Sequence, residues 1–380
     1  MNVTKFAIPE IIFGRGSMVH VGQCARRLGA KRVLLVSDSG LERAGWVDRV
    51  SEILEEERLE WAYYGDVNSN PRDYQVRAGA LVYRETGADV IIAIGGGSPI
   101  DAAKGIAILA SNGGVISDYE GANRVERPLP PMIFLPTTAG SGSDISQFCI
   151  VTDVDRQLKM SIISRSLVPN ISIIDPLILL TKSHELIIAS AIDAFAHAVE
   201  SYVSRIASPF TEIQSLRAIE LIIRNFKSAL DDRSIDALEQ LSIASTAAGM
   251  AFSNAGLGAG HALAHSLGGM FDILHGLVHP ILLPAVMRFN APACTEKMGN
   301  IGRLVIGDGR HTAEYFAQAG IESLKKFFAN LDVPLRLRDI LPDRSPLEQL
   351  ARAAVGDACN VTNPRHADVE GLLGICEEAW

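Results

Sequence analysis

Short apolar runs and helical patterns alternate along the first half of the chain. Lys31 to Val36 (KRVLLV) reads as a buried strand, and the stretch after it through Glu57 is helix-compatible. Trp61 to Tyr64 is a second strand, and Tyr74 to Thr86 has helical spacing. Asp89 to Ile94 (DVIIAI) is a third, followed by a glycine turn and a helix from about Pro99 to Ala110. Met132 to Leu135 (MIFL) is a fourth strand, ended by Pro136. Strands alternating with helices imply a mostly parallel sheet covered on both faces. Residues 147–174 break the alternation: FCIVTD facing LKMSII has the pattern of a hairpin, with one more strand near ISII.

The texture changes after Asp175-Pro176. His184 to Ser204, Phe210 to Leu230 and Ile235 to Ala251 read as helices, and no later run reads as a strand. The pattern therefore predicts an α/β domain over residues 1–180 and an all-helical domain over 181–380. From Leu241 to Phe271 there is no Asp, Glu, Lys or Arg, a length sufficient to cross a membrane. Six glycines, Asn254, His261 and His265 in that stretch would be costly against lipid, so two helices buried inside the protein are expected.

Composition narrows the function classes. Thirty-five Lys plus Arg against 44 Asp plus Glu give a net charge of −9, which argues against nucleic-acid or anionic-membrane partners. Five cysteines, odd in number and without a C-x-x-C, exclude a disulfide scaffold or a thiolate zinc ribbon and suit a reducing cytoplasm. Pro9 and Glu10 interrupt the apolar N-terminus, which does not read as a signal peptide. A cytoplasmic location is expected.

Two segments of the first half suit a nucleotide. Ile94-Gly95-Gly96-Gly97-Ser98-Pro99-Ile100-Asp101 follows a strand and opens a helix. Small residues there let the backbone approach a ligand, and the uncapped N–H groups and positive end of the helix favour a pyrophosphate. Pro136-Thr137-Thr138-Ala139-Gly140-Ser141-Gly142-Ser143 also follows a strand and is expected to line the same crevice. Asp38 stands just past the strand ending at Val36. There a carboxylate either holds ribose hydroxyls, favouring NAD over NADP, or caps its own backbone.

The second half carries the metal signal. Asp193 and His197 are four apart and share one face of a helix. His261 and His265 repeat that spacing, as do His275 and His279. One carboxylate with imidazoles and no thiolate suits Fe²⁺, Zn²⁺, Mn²⁺ or Co²⁺. Spacing alone leaves open which of the four later histidines bind. HALAH lacks the glutamate of the H-E-x-x-H hydrolases.

Taken together, IGGGSPIDAAK, PTTAGSGS, AIDAFAHAVESY and GLGAGHALAHSLGG followed by LHG closely resemble the iron-containing (group III) alcohol dehydrogenases. The resemblance runs in order from IIFGRGS to about residue 290. It implies an N-terminal dinucleotide-binding α/β domain, a helical metal-binding domain and an active site in the cleft between them. Carried over position by position, it implies metal ligands at Asp193, His197, His261 and His275. His265 then neighbours the site as a proton-relay candidate, and His279 is structural. It implies NAD contacts at Asp38, Asn70, Gly97, Ser98, Asp101, Thr137, Thr138, Ser141 and Lys159, and pocket walls at Phe148, Phe252 and Asp272. The chain departs from the family pattern at Asp144, usually Glu, at Ser190-Ala191, usually Thr-Gly, and at Leu274, often Pro. These positions bear on substrate choice.

The activity implied is hydride transfer between NAD(H) and a small primary alcohol or diol and its aldehyde, assisted by Fe²⁺ or another divalent ion such as Zn²⁺. A homodimer or higher homo-oligomer is implied as well, and the strand-like run Glu10 to Phe13 offers an edge for pairing. Two other classes share parts of this pattern: an NAD-retaining, metal-dependent lyase or cyclase of the dehydroquinate synthase type, and a non-catalytic nucleotide or metal sensor. Steady NADH accumulation on a simple alcohol separates the dehydrogenase from both.

Overall fold

The structure, a computed structural model, describes residues 5–380. The strands are β1 (Glu10–Phe13), β2 (Arg32–Val36), β3 (Glu60–Tyr64), β4 (Val90–Gly95), β5 (Gly121–Ala122), β6 (Met132–Pro136), β7 (Phe148–Asp153), β8 (Leu158–Ile163) and β9 (Ile171–Ile174). Six of them form one sheet in the order β1-β9-β6-β4-β2-β3, with every neighbouring pair parallel. The helices of this half are α1 (Val21–Arg27), α2 (Ser39–Arg43), α3 (Trp46–Glu56), α4 (Asp73–Thr86) and α5 (Gly97–Asn112).

The apolar runs are continuous because the sheet is buried on both faces. Alternate residues divide between two cores. Leu34, Val36, Ile91, Ala93 and Phe134 pack with Val76, Ala80 and the buried stripe Ile100–Leu109 of α4 and α5. Val33, Leu35, Ile92, Ile94, Ile133 and Leu135 pack with Val21, Ala25, Trp46, Val50 and Leu54 of α1 and α3. The helix-compatible stretch after β2 is two helices rather than one, separated by Gly45 at φ 76°. The expected hairpin forms: Phe148 pairs with Ile163 and Asp153 with Leu158 in antiparallel register. It lies in a separate three-stranded sheet, β5-β8-β7. Glu10–Phe13 pairs with β9 of its own chain and forms one edge of the large sheet.

The order of the large sheet creates a switch point. From β2 the chain goes to β3 on one side, while β4 and β6 lie on the other side. Loops leaving the carboxyl ends of β2 and β4 therefore diverge and leave a crevice, the usual nucleotide position in open α/β sheets.

The remainder is helical: α6 (His184–Val203), α7 (Pro209–Asp231), α8 (Ile235–Ala255), α9 (Ala259–Phe271), α10 (His279–Asn290), α11 (Thr295–Ile306), α12 (Ala313–Ala329), α13 (Leu347–Val355) and α14 (Val369–Glu378). The charge-free stretch is most of α8 and all of α9 with the turn between them, and most of it is buried. α6 is long and apolar enough to cross a membrane by length and composition, yet 83% of that window is buried inside the protein. One compact unit holds Ala7–Ile187 with Arg233–Ser242, and the other holds Ile188–Asp232 with Ile243–Trp380. The expected division at residue 180 left 233–242 with the helices, but its contacts lie elsewhere. Arg233 donates to Leu180 O and Lys182 O at 2.8 and 2.6 Å, and Arg15 Nε donates to Glu239 at 2.6 Å.

Candidate functional site

α6 carries Asp193, His197 and Glu200 at i, i+4 and i+7, one stripe of a helix. All three are buried. Two further segments bring imidazoles to the Asp193 end of that stripe: α9 supplies His261, and the turn His275–Leu277 leading into α10 supplies His275 and His279. Gly276 makes the second approach possible. A Cβ there would lie 2.3 Å from the carbonyl oxygen of Ala189, one turn before Asp193.

Four Nε2 atoms surround Asp193 Oδ1, those of His279 at 3.2 Å, His275 at 3.6 Å, His261 at 3.8 Å and His197 at 4.0 Å. The ligand atoms of Asp193, His261, His275 and His279 all lie within 4.8 Å of one another. Asp193 Oδ1, His261 Nε2 and His279 Nε2 are sealed from solvent, and none makes a hydrogen bond of acceptable geometry. Buried polar atoms normally find partners, so a close group of unpartnered donor atoms fits a cation. Oxygen and imidazole donors without thiolate fit Fe²⁺, Zn²⁺ or a similar ion.

The site includes a residue that the motif reading passed over. Glu200 accepts His261 Nδ1 at 2.5 Å and the backbone N–H groups of Gly258, Gly260 and His261 at 3.3, 2.7 and 3.2 Å. It thus serves the uncapped first turn of α9 and holds His261 with Nε2 toward Asp193. Its i+7 spacing from Asp193 was the available signal. Burial opposes charge on Asp193, but His197, His261, His279 and His275 outweigh it and hold the carboxyl well below its usual range. Burial also lowers His261, but Glu200 and Asp193 prevail and raise it to about 9. Burial holds His197 near 3 despite Asp193. Its ring lies between Phe252 and His261, each centroid 4.4 Å away.

His265, one turn beyond His261, stacks on His275 at 5.4 Å between centroids. Its Nδ1 is 2.8 Å from Asp357 Oδ2, a partner with no local sequence signal. Asp272 ends α9 in the left-handed region at φ 52°.

In the α/β unit, Asp38 caps α2: its Oδ1 accepts Gly40 N and Leu41 N at 2.8 and 3.0 Å. Both readings of this residue are compatible, because one carboxylate oxygen makes both capping bonds. Asp38 lies beyond β2, and Gly97 and Ser98 lie beyond the neighbouring β4 at the start of α5. The N-cap of α5, Gly96, offers no side chain to its first N–H groups, which fits an anionic ligand there. Thr137, Thr138 and Ser141 follow β6, which pairs Pro136 with Gly95, and Thr137 N donates to Gly95 O at 2.9 Å. Asn70 N donates to Ser98 Oγ at 3.2 Å, and Lys159 Nζ donates to Asn70 Oδ1 at 2.7 Å. Eight of the nine proposed NAD residues thus border the carboxyl ends of the strands or hydrogen-bond to those that do. Asp101 is different. It is buried in α5, and burial raises its carboxyl to about 7 despite nearby Lys104.

Lys104 is fully buried and donates to Ser146 O and Phe148 O, both at 2.7 Å. Asp144, the departure from the family pattern, is also buried and accepts Ser172 Oγ at 2.6 Å. These two side chains anchor the loop between β6 and β7.

Residues 9–176 match the family described as iron-containing alcohol dehydrogenase, and residues 187–380 match the C-terminal domain of the same family. The chain is 35% identical to the NAD-dependent methanol dehydrogenase of Bacillus methanolicus, over 99% of this chain and 100% of that protein. It is 36% identical to the 1,3-propanediol dehydrogenase of Klebsiella pneumoniae, over 99% and 98%. A crystal structure of 1,3-propanediol oxidoreductase superposes with a TM-score of 0.96 at 35% identity, covering both chains fully. With matching domains in both halves, full-length relatives and a buried donor cluster fit for a divalent ion, this chain belongs to the iron-containing alcohol dehydrogenases, metal-dependent oxidoreductases that exchange hydride between alcohols or aldehydes and NAD(H).

Proposed function

We propose that the substrate pair is a small primary alcohol or diol and its aldehyde, and that the ion is held by Asp193, His197, His261 and His275. The observation carrying this reading is the convergence of the Nε2 atoms of His275, His261 and His197 on Asp193 Oδ1 at 3.6, 3.8 and 4.0 Å. When bound, the ion supplies a Lewis acid that acidifies an alcohol or polarises a carbonyl. The names of the relatives, a methanol and a propanediol dehydrogenase, support short primary alcohols and favour hydride transfer over a retained-NAD lyase reaction.

The side chains of this chain supply the rest. Asp38 faces the adenosine ribose and disfavours a 2′-phosphate, while the N-terminus of α5 holds the pyrophosphate. Asn70, held by Ser98 and Lys159, completes the cofactor site with Thr137, Thr138 and Ser141. His265, oriented through Nδ1 by Asp357, moves the alcohol proton at Nε2. Phe252 packs on His197 and keeps water from that side of the cluster.

The enzyme works in a reducing cytoplasm, consistent with five cysteines that are all unpaired, and assembles as a homodimer or larger even-numbered oligomer. Anaerobic purification with metal analysis, then an NADH-oxidation screen over short, diol-derived and anionic aldehydes, tests the substrate class. Turnover confined to anionic aldehydes overturns it. Light scattering at micromolar concentration tests the assembly, and a monomer mass refutes it.

A further inference from the structure

We propose that His279 is an additional donor to the divalent ion, so that four imidazoles and one carboxylate surround it. The inference rests on the metal-centre reading above and changes its stoichiometry of donors. Of the four Nε2 atoms around Asp193 Oδ1, that of His279 is the nearest, at 3.2 Å, while that of His197 is the farthest, at 4.0 Å. Donors about 2.1 Å from one ion stand about 3.0 Å apart at a right angle and about 3.4 Å apart in a tetrahedron. Asp193 and His279 lie between those separations.

The backbone explains how both histidines of the H-x-x-x-H pair reach one point. His275–Leu277 is a 3₁₀ turn, Val278 is helical, and His279 begins α10, so the two side chains leave on the same face about one turn apart. Their rings meet at 89° with centroids 5.0 Å apart, and the His279 ring is 4.4 Å from that of His261. His279 is 1% exposed, which leaves its Nε2 no water to bond. The competing arrangement is a simple N–H···O bond from His279 to Asp193. Yet neither atom makes a hydrogen bond of acceptable geometry at 3.2 Å, and both belong to the group of ligand atoms that lie within 4.8 Å of one another.

A fifth protein donor has a consequence for metal choice. Zn²⁺ favours four ligands, whereas Fe²⁺ and Co²⁺ readily take five or six. His279 should therefore narrow the advantage Zn²⁺ holds over them.

The test uses full-length protein stripped of metal and refilled with Co²⁺ or Zn²⁺ alone. The wild type is expected to show the weak visible bands of five-coordinate Co²⁺, and cobalt-edge X-ray absorption should count four imidazoles. In His279→Asn and His279→Ala the bands should intensify toward the four-coordinate pattern. Co²⁺ affinity should fall by roughly 10- to 100-fold, and Zn²⁺ affinity by less. Unchanged bands and affinities in both variants overturn the proposal while leaving the four-ligand centre intact. If neither variant folds, three imidazoles at the cobalt edge of the Co²⁺-loaded wild type overturn it and four support it. A wild-type protein that binds neither ion overturns the metal-centre reading and this proposal together.

Discussion

His265 Nδ1 lies 2.8 Å from Asp357 Oδ2, joining residues 92 positions apart. The same carboxylate caps the short turn that follows it, accepting Cys359 N through Oδ1 at 2.7 Å. One oxygen thus fixes the backbone and the other fixes the tautomer and direction of an imidazole one turn from His261.

If that orientation serves proton transfer, His265→Ala should keep stoichiometric metal and lower kcat by about 10²- to 10⁴-fold, with a smaller change in KM. Asp357→Asn retains the cap, but its amide in place of the charge should lower kcat by roughly ten- to a hundredfold. Metal analysis beside steady-state kinetics distinguishes this from a damaged centre. An unchanged kcat in His265→Ala removes the residue from catalysis.

Asp357 also gives a pH signature in stability. Burial opposes its charge, but His265 and the Cys359 backbone prevail, so its folded pKa lies below the ordinary aspartate value. A carboxylate with a depressed folded pKa stabilises the fold above its unfolded pKa, and that contribution is lost as pH falls through the folded value. The gap in melting temperature between wild type and Asp357→Asn should therefore be full near neutrality and shrink below about pH 4. Melting curves from pH 3 to 7 on metal-free protein check it.

Replacing His275 or His261 with Ala in a His279→Ala background should abolish metal retention and activity together. An all-N/O site follows the Irving–Williams order, so aerobic purification should yield mixed occupancy enriched in Zn²⁺. Adding Fe²⁺ under reducing conditions should restore turnover. Stoichiometric metal in the His275→Ala/His279→Ala double variant would show that the ligand register is wrong.

Glu200→Gln should weaken metal binding by roughly 10- to 100-fold without removing a ligand, because His261 loses the charged partner that directs its Nε2. Gln retains one acceptor for the backbone N–H groups at the start of α9, so the loss should exceed any fall in melting temperature. Competition titration with a chelator measures the affinity.

For the cofactor, Asp38→Ser is the informative change. Ser keeps an oxygen to cap α2 and removes the charge that disfavours a 2′-phosphate. The NADP-to-NAD ratio of kcat/KM should rise on the order of 10-fold, about 1.4 kcal/mol of discrimination. A native preference for NADP, or an unchanged ratio, refutes the assignment.

The sequence alone determined the layout of the fold. Continuous β-branched runs such as DVIIAI can be stable only as strands covered on both faces, and glycine-rich turns after them leave an open helix N-terminus. Local spacing also placed Asp193 beside His197 and paired the later histidines, because a helix puts i and i+4 on one face whatever surrounds it. Spacing along the chain carries no information about distances between segments. Only the tertiary structure decided that His279 comes nearest Asp193, since that depends on the 3₁₀ turn at His275 pressing through Gly276 onto Ala189. It alone brought Asp357 to His265 and Glu200 to the start of α9, where a buried imidazole and uncapped N–H groups needed acceptors that their neighbours in sequence do not provide.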